Sequence, residues 1–260
     1  KQVIQVNLLF GKSANVPGRS AFTRDALSFD NAIQGYLANG SGPLSSPASD
    51  FVAWEKFSKD FTTNMSQSTL DYLNSIPSDW PNVEYPLQAA VRASTAGQTA
   101  SDTGVVGILL TSASSKGNVT IQSADNTIAP IVHIGWLDSK EDKEMAVAAY
   151  RRARTIAASV SALGDEIAPG ANVTTDAQIL DYIKTKGMSA IHHGTSTCAM
   201  GKKASDGAVV DSKARVFGVK GLRVIDASSL PFQAPGHSQG VTYAHAEKLA
   251  QDVIDAGIGM

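Results

Sequence analysis

Four short runs in the middle of the chain, VEYPLQAAV (83–91), VVGILLTS (105–112), NVTIQS (118–123) and PIVHIGWL (130–137), set the strongest limit on what it can fold into. Each is rich in β-branched residues and is set off by Gly, Ser, Asn or Asp, the pattern of antiparallel strands. Helical periodicity lies on either side. Phe29, Ile33 and Tyr36–Leu37 predict a helix over 28–37, and NGSGPLSSP (39–47) reads as a loop after it. A second helix is predicted over 66–75, closed by Ile76-Pro77. From 141 to 163, Met145, Val147–Ala149, Ile156 and Val160 form one apolar stripe with Arg151, Arg152 and Arg154 off it, predicting a long amphipathic helix. Thr174 or Thr175 is placed to cap DAQILDYIKTK, which ends at Gly187. LRVID (222–226) reads as a strand without evident partners, and a terminal helix is predicted over about 241–256. Strands, then helices, then a lone strand point to an α+β sheet domain plus pieces of a second unit.

Composition narrows the function classes. With 43% hydrophobic residues, 18% charged residues and a net charge of −2, the chain can bury a core and carries no basic footprint for nucleic acid or an anionic membrane. No apolar run approaches the ~20 residues of a membrane span. The start, KQVIQVNLLFGKSANVPG, has neither a signal-peptide core nor a methionine, so a mature or cut product is expected. One cysteine, Cys198, rules out an internal disulfide and any multi-cysteine metal site. The histidines show no H-x-x-x-H spacing, and no metal is expected. Sequons at Asn39, Asn64, Asn118 and Asn172 fit a secreted glycoprotein.

PGHSQG (235–240) contains G-x-S-x-G, the letters of a hydrolase nucleophile elbow. That motif needs a strand running into the turn and an acid, then a histidine, downstream. LPFQAP contains two prolines, and Asp252 and Asp255 both follow His245, so Ser238 is read as a turn residue. His237 remains, in a turn opening a helix, where free backbone N–H groups gather. Upstream, IHHGTSTCAMG (191–201) is a second histidine cluster in a polar, glycine-bounded segment, and the two turns together make an acid/base pair.

These two segments and the stretch joining them, GAVVDSKARVFGVKGLRVIDASSLPFQAPGHSQGVTYAHAEKLAQDVI, resemble the C-terminal signature of the glucose–methanol–choline (GMC) oxidoreductases. SSKGNVTIQSADN resembles that family's Ser-x-Gly-x-Val strand turn, and NAIQGYLANGSGPLSSP its helix and loop ahead of the substrate domain. The family's opening G-x-G-x-x-G turn, which holds the FAD pyrophosphate, has no counterpart here. The resemblance therefore implies an α+β chain: an antiparallel-sheet substrate domain with flanking helices over 1–190, then an active-site segment over 191–260 that completes a Rossmann-like FAD domain. The N-terminal half of that domain would be a separate chain or a missing segment, and LRVID one of its strands.

By the same resemblance, His193 and His237 are the catalytic pair, the second position being filled by His or Asn in the family. His237 is expected to be the base for the alcohol proton and His193 its substrate-orienting partner, with the hydride going to the flavin and electrons onward to oxygen or another acceptor. Asp226 and Ala227 match a strand end against the cofactor, and Ser238, Gln239 and Gly240 the turn beside its ring. Read without the family, the aspartate is a turn former and the Ser/Gly turn a bend. His192 is expected to point away from substrate, His133 to be a strand histidine, and His245 to pack or be solvated. Trp54, Tyr85, Trp136 and Phe232 are aromatic candidates for a substrate wall, with core packing the simpler role for each; Phe232, five residues before His237, is kept for the wall. The alternatives are a member of the same scaffold without net redox, a lyase or cyclase, and a non-catalytic module.

Overall fold

The computed structural model describes residues 4–10, 26–45, 49, 51–91 and 102–257. Its centre is a six-stranded antiparallel sheet built from β1 (Ile4–Phe10), β2 (Phe51–Glu55), β3 (Val83–Val91), β4 (Asp102–Leu110), β7 (Glu166–Ala168) and β8 (Met188–Ala190), in the order β2-β3-β4-β1-β7 with β8 also on β1. A separate two-stranded ribbon joins β5 (Asn118–Thr120) to β6 (Ile131–His133). The helices are α1 (Ala26–Asn39), α2 (Lys59–Thr62), α3 (Gln67–Ser75), α4 (Lys140–Ala158), α5 (Asp176–Tyr182) and α6 (Gln239–Asp255).

Alternation along the strands divides the sheet into two faces. Val83 and Tyr85 of β3 and Val106, Ile108 and Leu110 of β4 are buried with Met145, Ala146, Ala149, Tyr150 and Ala153 of α4 in one core. Small alanines let α4 lie close against the strands, and Leu73, Ile179 and Ile183 close the ends. Glu84 therefore points to the opposite face, where it stands across from Trp54 of β2 and Leu109 of β4.

Asp142, in the first turn of α4, is fully buried. Its carboxylate accepts from the Ser114 N–H (2.7 Å), the Ser114 hydroxyl (3.1 Å) and the Ser115 N–H (3.0 Å), while its own N–H caps on Ser139 Oγ at 3.0 Å. One charge thus satisfies the turn after β4 and suits the positive end of the helix. Asp142→Ala is expected to destabilise the fold by about 3 kcal/mol, read as a lower urea midpoint, because the donors stay buried and lose their acceptor.

The predicted helices and the four predicted strands are present, with shifted ends. The helix expected to run to Leu163 stops at Ala158, where the Ser159 hydroxyl bonds back to the Ile156 carbonyl at 2.7 Å and the chain leaves in successive turns. Thr175 caps α5 in a capping box, and a π-helical turn carries the chain to Gly187. LRVID is not a strand of the sheet: Arg223 makes one isolated bridge to Arg215, flanked by bonds from Val216 N–H to the Leu222 carbonyl and from Val224 N–H to the Ala214 carbonyl. Four sheet strands, β1, β2, β7 and β8, were not foreseen, among them β1, which pairs with β4 over seven residues. Of the 39–47 loop, residues 46 and 47 lie outside the described part.

Candidate active site

The two histidine segments meet through backbone bonding. Residues 196–200 run beside a 3-10 turn at Ala227–Ser229: the N–H groups of Ser196, Cys198 and Met200 donate to the carbonyls of Ala227, Ser228 and Ser229 at 3.1, 2.8 and 3.1 Å. His192, with φ +61, turns the chain sharply just before this run. His193 thereby faces His237, the ring centroids 5.1 Å apart and nearly perpendicular at 80°. His192 itself is exposed.

His237 is anchored from the sheet. Its Nε2 lies 2.7 Å from Oε1 of Glu84, whose side chain is wholly buried, while the imidazole itself is more than half exposed. With the Glu84 carboxyl oxygen as acceptor, Nε2 is assigned as the N–H donor, which makes Nδ1 the acceptor nitrogen. The second Glu84 oxygen, Oε2, is buried without a hydrogen-bond partner among the described residues. The backbone of the turn before His237 calls for glycine: Gly236 sits at φ +99, a conformation side chains rarely adopt, with the Trp54 indole nitrogen at 3.4 Å and Glu84 Oε2 at 3.9 Å from where a Cβ would stand. Glycine thus lets the histidine turn press against the face that presents Glu84.

His193 is the more enclosed ring. Burial, then the nearby His237 and His192, push its pKa below the ordinary imidazole value of 6.5, and its Nδ1 is buried with no partner. The pair thus joins a neutral, partly desolvated imidazole to one braced by a buried acid. Glu84 was missed from the sequence. Its signal was an acid between Val83 and Tyr85, in a run otherwise fit to be buried on both faces.

At the start of α6 the N–H groups of Gln239, Gly240 and Val241 precede the first intrahelical bond, Thr242 N–H to the Ser238 carbonyl at 2.9 Å. The Ser238 side chain makes no cap bond, Gln239 and Gly240 are exposed, and nothing lies within 4 Å of where a Gly240 Cβ would stand. These residues fit an electron-rich ring edge placed against the helix start beside His237. The Asp226 carboxylate is a turn former, accepting from the Ser228 N–H at 2.7 Å, and Ala227 begins the 3-10 turn.

Phe232 is 55% exposed and tilts against Trp80 at 5.7 Å. Trp54 is half exposed beside the histidine turn, whereas Tyr85 lies in the core and Trp136 packs against it. His245 bonds Ser229 Oγ at 2.8 Å, and burial holds its pKa below the usual range. His133 is exposed, 3.3 Å from Asp138. Asn39, Asn64, Asn118 and Asn172 are all exposed. Among the described residues, no three His, Cys, Asp or Glu side chains converge on a metal-sized site.

Comparison with known proteins identifies the family and the fold. A family model described as GMC oxidoreductase matches residues 113–246. Patulin synthase of Aspergillus clavatus is 40% identical over 236 residues, which cover 86% of this chain and 37% of that protein. The glucose methanol choline oxidoreductase atC of Aspergillus terreus is 37% identical over 240 residues, covering 92% and 39%. The chain thus spans about two fifths of the length of these curated relatives. Among solved structures, a formate oxidase of Aspergillus oryzae described for its FAD modification superposes with a TM-score of 0.85 at 22% identity, over 98% of this chain and 46% of that one. A fungal aryl-alcohol oxidase gives 0.76 at 18%, over 99% and 48%. At these identities the superpositions establish the fold.

Proposed function

The chain belongs to the GMC oxidoreductase family, and from that premise we propose that it is the substrate-binding and active-site portion of an enzyme that oxidises a primary or secondary alcohol. The cofactor is FAD, which when bound accepts the hydride. The division at about residue 190, with 191–260 completing the FAD domain, is part of the same proposal, as is a flavin-binding half beyond this chain.

The observation that carries the proposal is the His193–His237 pair braced by buried Glu84. Oxidising a carbinol requires its hydroxyl proton to leave as the hydride leaves carbon. We assign that proton to His193, which burial and its neighbouring imidazoles keep neutral near pH 7 and so able to accept it. His237, with Nε2 held by Glu84, presents its other nitrogen to orient the substrate oxygen. This reverses the roles expected from the sequence. The start of α6, at Ser238, Gln239 and Gly240, would hold the flavin ring edge, and Asp226–Ala227 the neighbouring strand end. Phe232 would contribute to the substrate wall.

A pH profile of kcat/KM for alcohol oxidation tests the base. His193 works only when unprotonated, and its pKa is lowered, so activity holds at neutral pH and falls on acidification with a midpoint below 6.5. A midpoint above 6.5 would speak against His193. Oxygen or another electron acceptor completes the cycle. Secretion with glycans on Asn39, Asn64, Asn118 and Asn172 is also proposed, supported by the exposure of all four; a mass shift on enzymatic deglycosylation checks it.

A further inference from the structure

Beside the Trp80–Phe232 pair the chain forms a cavity of about 200 Å³ whose lining includes neither His193 nor His237. Tyr72 and Ile76 bound it from the α3 side, Thr111 and Ser112 from the exit of β4, and Trp80 and Gln233 complete it. The Tyr72 hydroxyl donates to the Ser112 carbonyl, and the Thr111 and Ser112 hydroxyls both donate to the Pro81 carbonyl, each at 2.8 Å. All three hydroxyls have spent their protons inside the protein and keep lone pairs to offer. Gln233 is the converse: only 7% exposed, it has a buried amide nitrogen with no acceptor among the described residues. An unpaired buried N–H is costly, and nearly all such groups in folded proteins find a partner.

We propose that this cavity is a binding site for a small neutral ring carrying a hydroxyl group, of the phenol type. The ring oxygen accepts from Gln233, its proton is taken by a Thr111, Ser112 or Tyr72 oxygen, and the ring lies between Ile76 and the Trp80 indole. Size agrees, since a cavity of ~150 Å³ in another protein takes benzene. Charge agrees as well, because among the described residues no Lys, Arg, Asp, Glu or His lines the space, and a carboxylate or ammonium would be stranded there. Such a ring could belong to the alcohol being oxidised or to a separate molecule. The inference rests on the proposed function only for that choice.

The test is binding of p-cresol, with toluene as control, to the full-length flavin-loaded enzyme by saturation-transfer NMR, in wild type, Gln233→Leu and the milder Gln233→Asn. The expected result is that p-cresol binds wild type more tightly than toluene does and that Gln233→Leu weakens it about tenfold, the value of one buried hydrogen bond. Equal binding of the two probes, or the same p-cresol affinity in all three proteins, overturns the site, as does a cavity that takes only water. If p-cresol raises KM for the alcohol with kcat unchanged, the ring is the substrate's own; if it binds without competing, it is a separate ligand. Binding without any alcohol turnover would overturn the proposed function and leave the site standing.

Discussion

Replacing His193 by alanine in the flavin-loaded full-length enzyme is expected to lower kcat for alcohol oxidation by roughly 10²- to 10⁴-fold, the usual worth of a positioned general base. The ring is partly enclosed and makes its closest ring contact with His237 rather than with the core, so the loss should come without matching loss of fold. Circular dichroism and flavin content check that the variant is intact. KM should change little, because the interaction removed forms only as the proton moves. A His193→Ala enzyme within tenfold of wild type would remove the base from the account.

Glu84→Leu is expected to cost about 10- to 100-fold in kcat, although Glu84 reaches the substrate only through His237, because partners that orient a working imidazole are typically worth that much. The leucine keeps the buried volume and removes the bond at 2.7 Å, so the His237 ring is free to turn away. Glu84→Gln retains an acceptor for Nε2 and should recover most of the rate. A purely packing role for Glu84 would reverse that order, with leucine tolerated and glutamine, equally buried but polar, the worse of the two. On this account Glu84 is a positioning residue, and the rescue by glutamine is what tells the two roles apart.

The elements that could be read in the sequence are those that carry their own signal. β3 and β4 announce themselves by β-branched alternation, α4 by its apolar stripe, and α5 by Thr175 and Gln178, which close the capping box. β7 and β8 are three residues each, too short to show a period, and owe their state to the edge of β1. LRVID has strand composition but forms no ladder among the described residues, only an isolated bridge from Arg223 to Arg215. At the site, His193 and His237 were legible because their glycine-bounded turns break apolar surroundings. Their pairing was expected, but not the means, which is a set of backbone bonds between residues 196–200 and 227–229. Glu84 is 153 positions from His237, and only the register of β2, β3 and β4 turns it to the histidine face. No local pattern encodes that distance.

The most direct measurement of the central claim is anaerobic mixing of the full-length enzyme with a primary aryl alcohol while the visible flavin band is followed, in wild type and in His193→Ala. The account predicts that the alcohol bleaches the band in wild type, more slowly when the carbinol carbon carries deuterium, and that the variant bleaches at least ~100-fold more slowly. Product formed while the flavin stays oxidised, or bleaching at the same rate in both proteins, would contradict it.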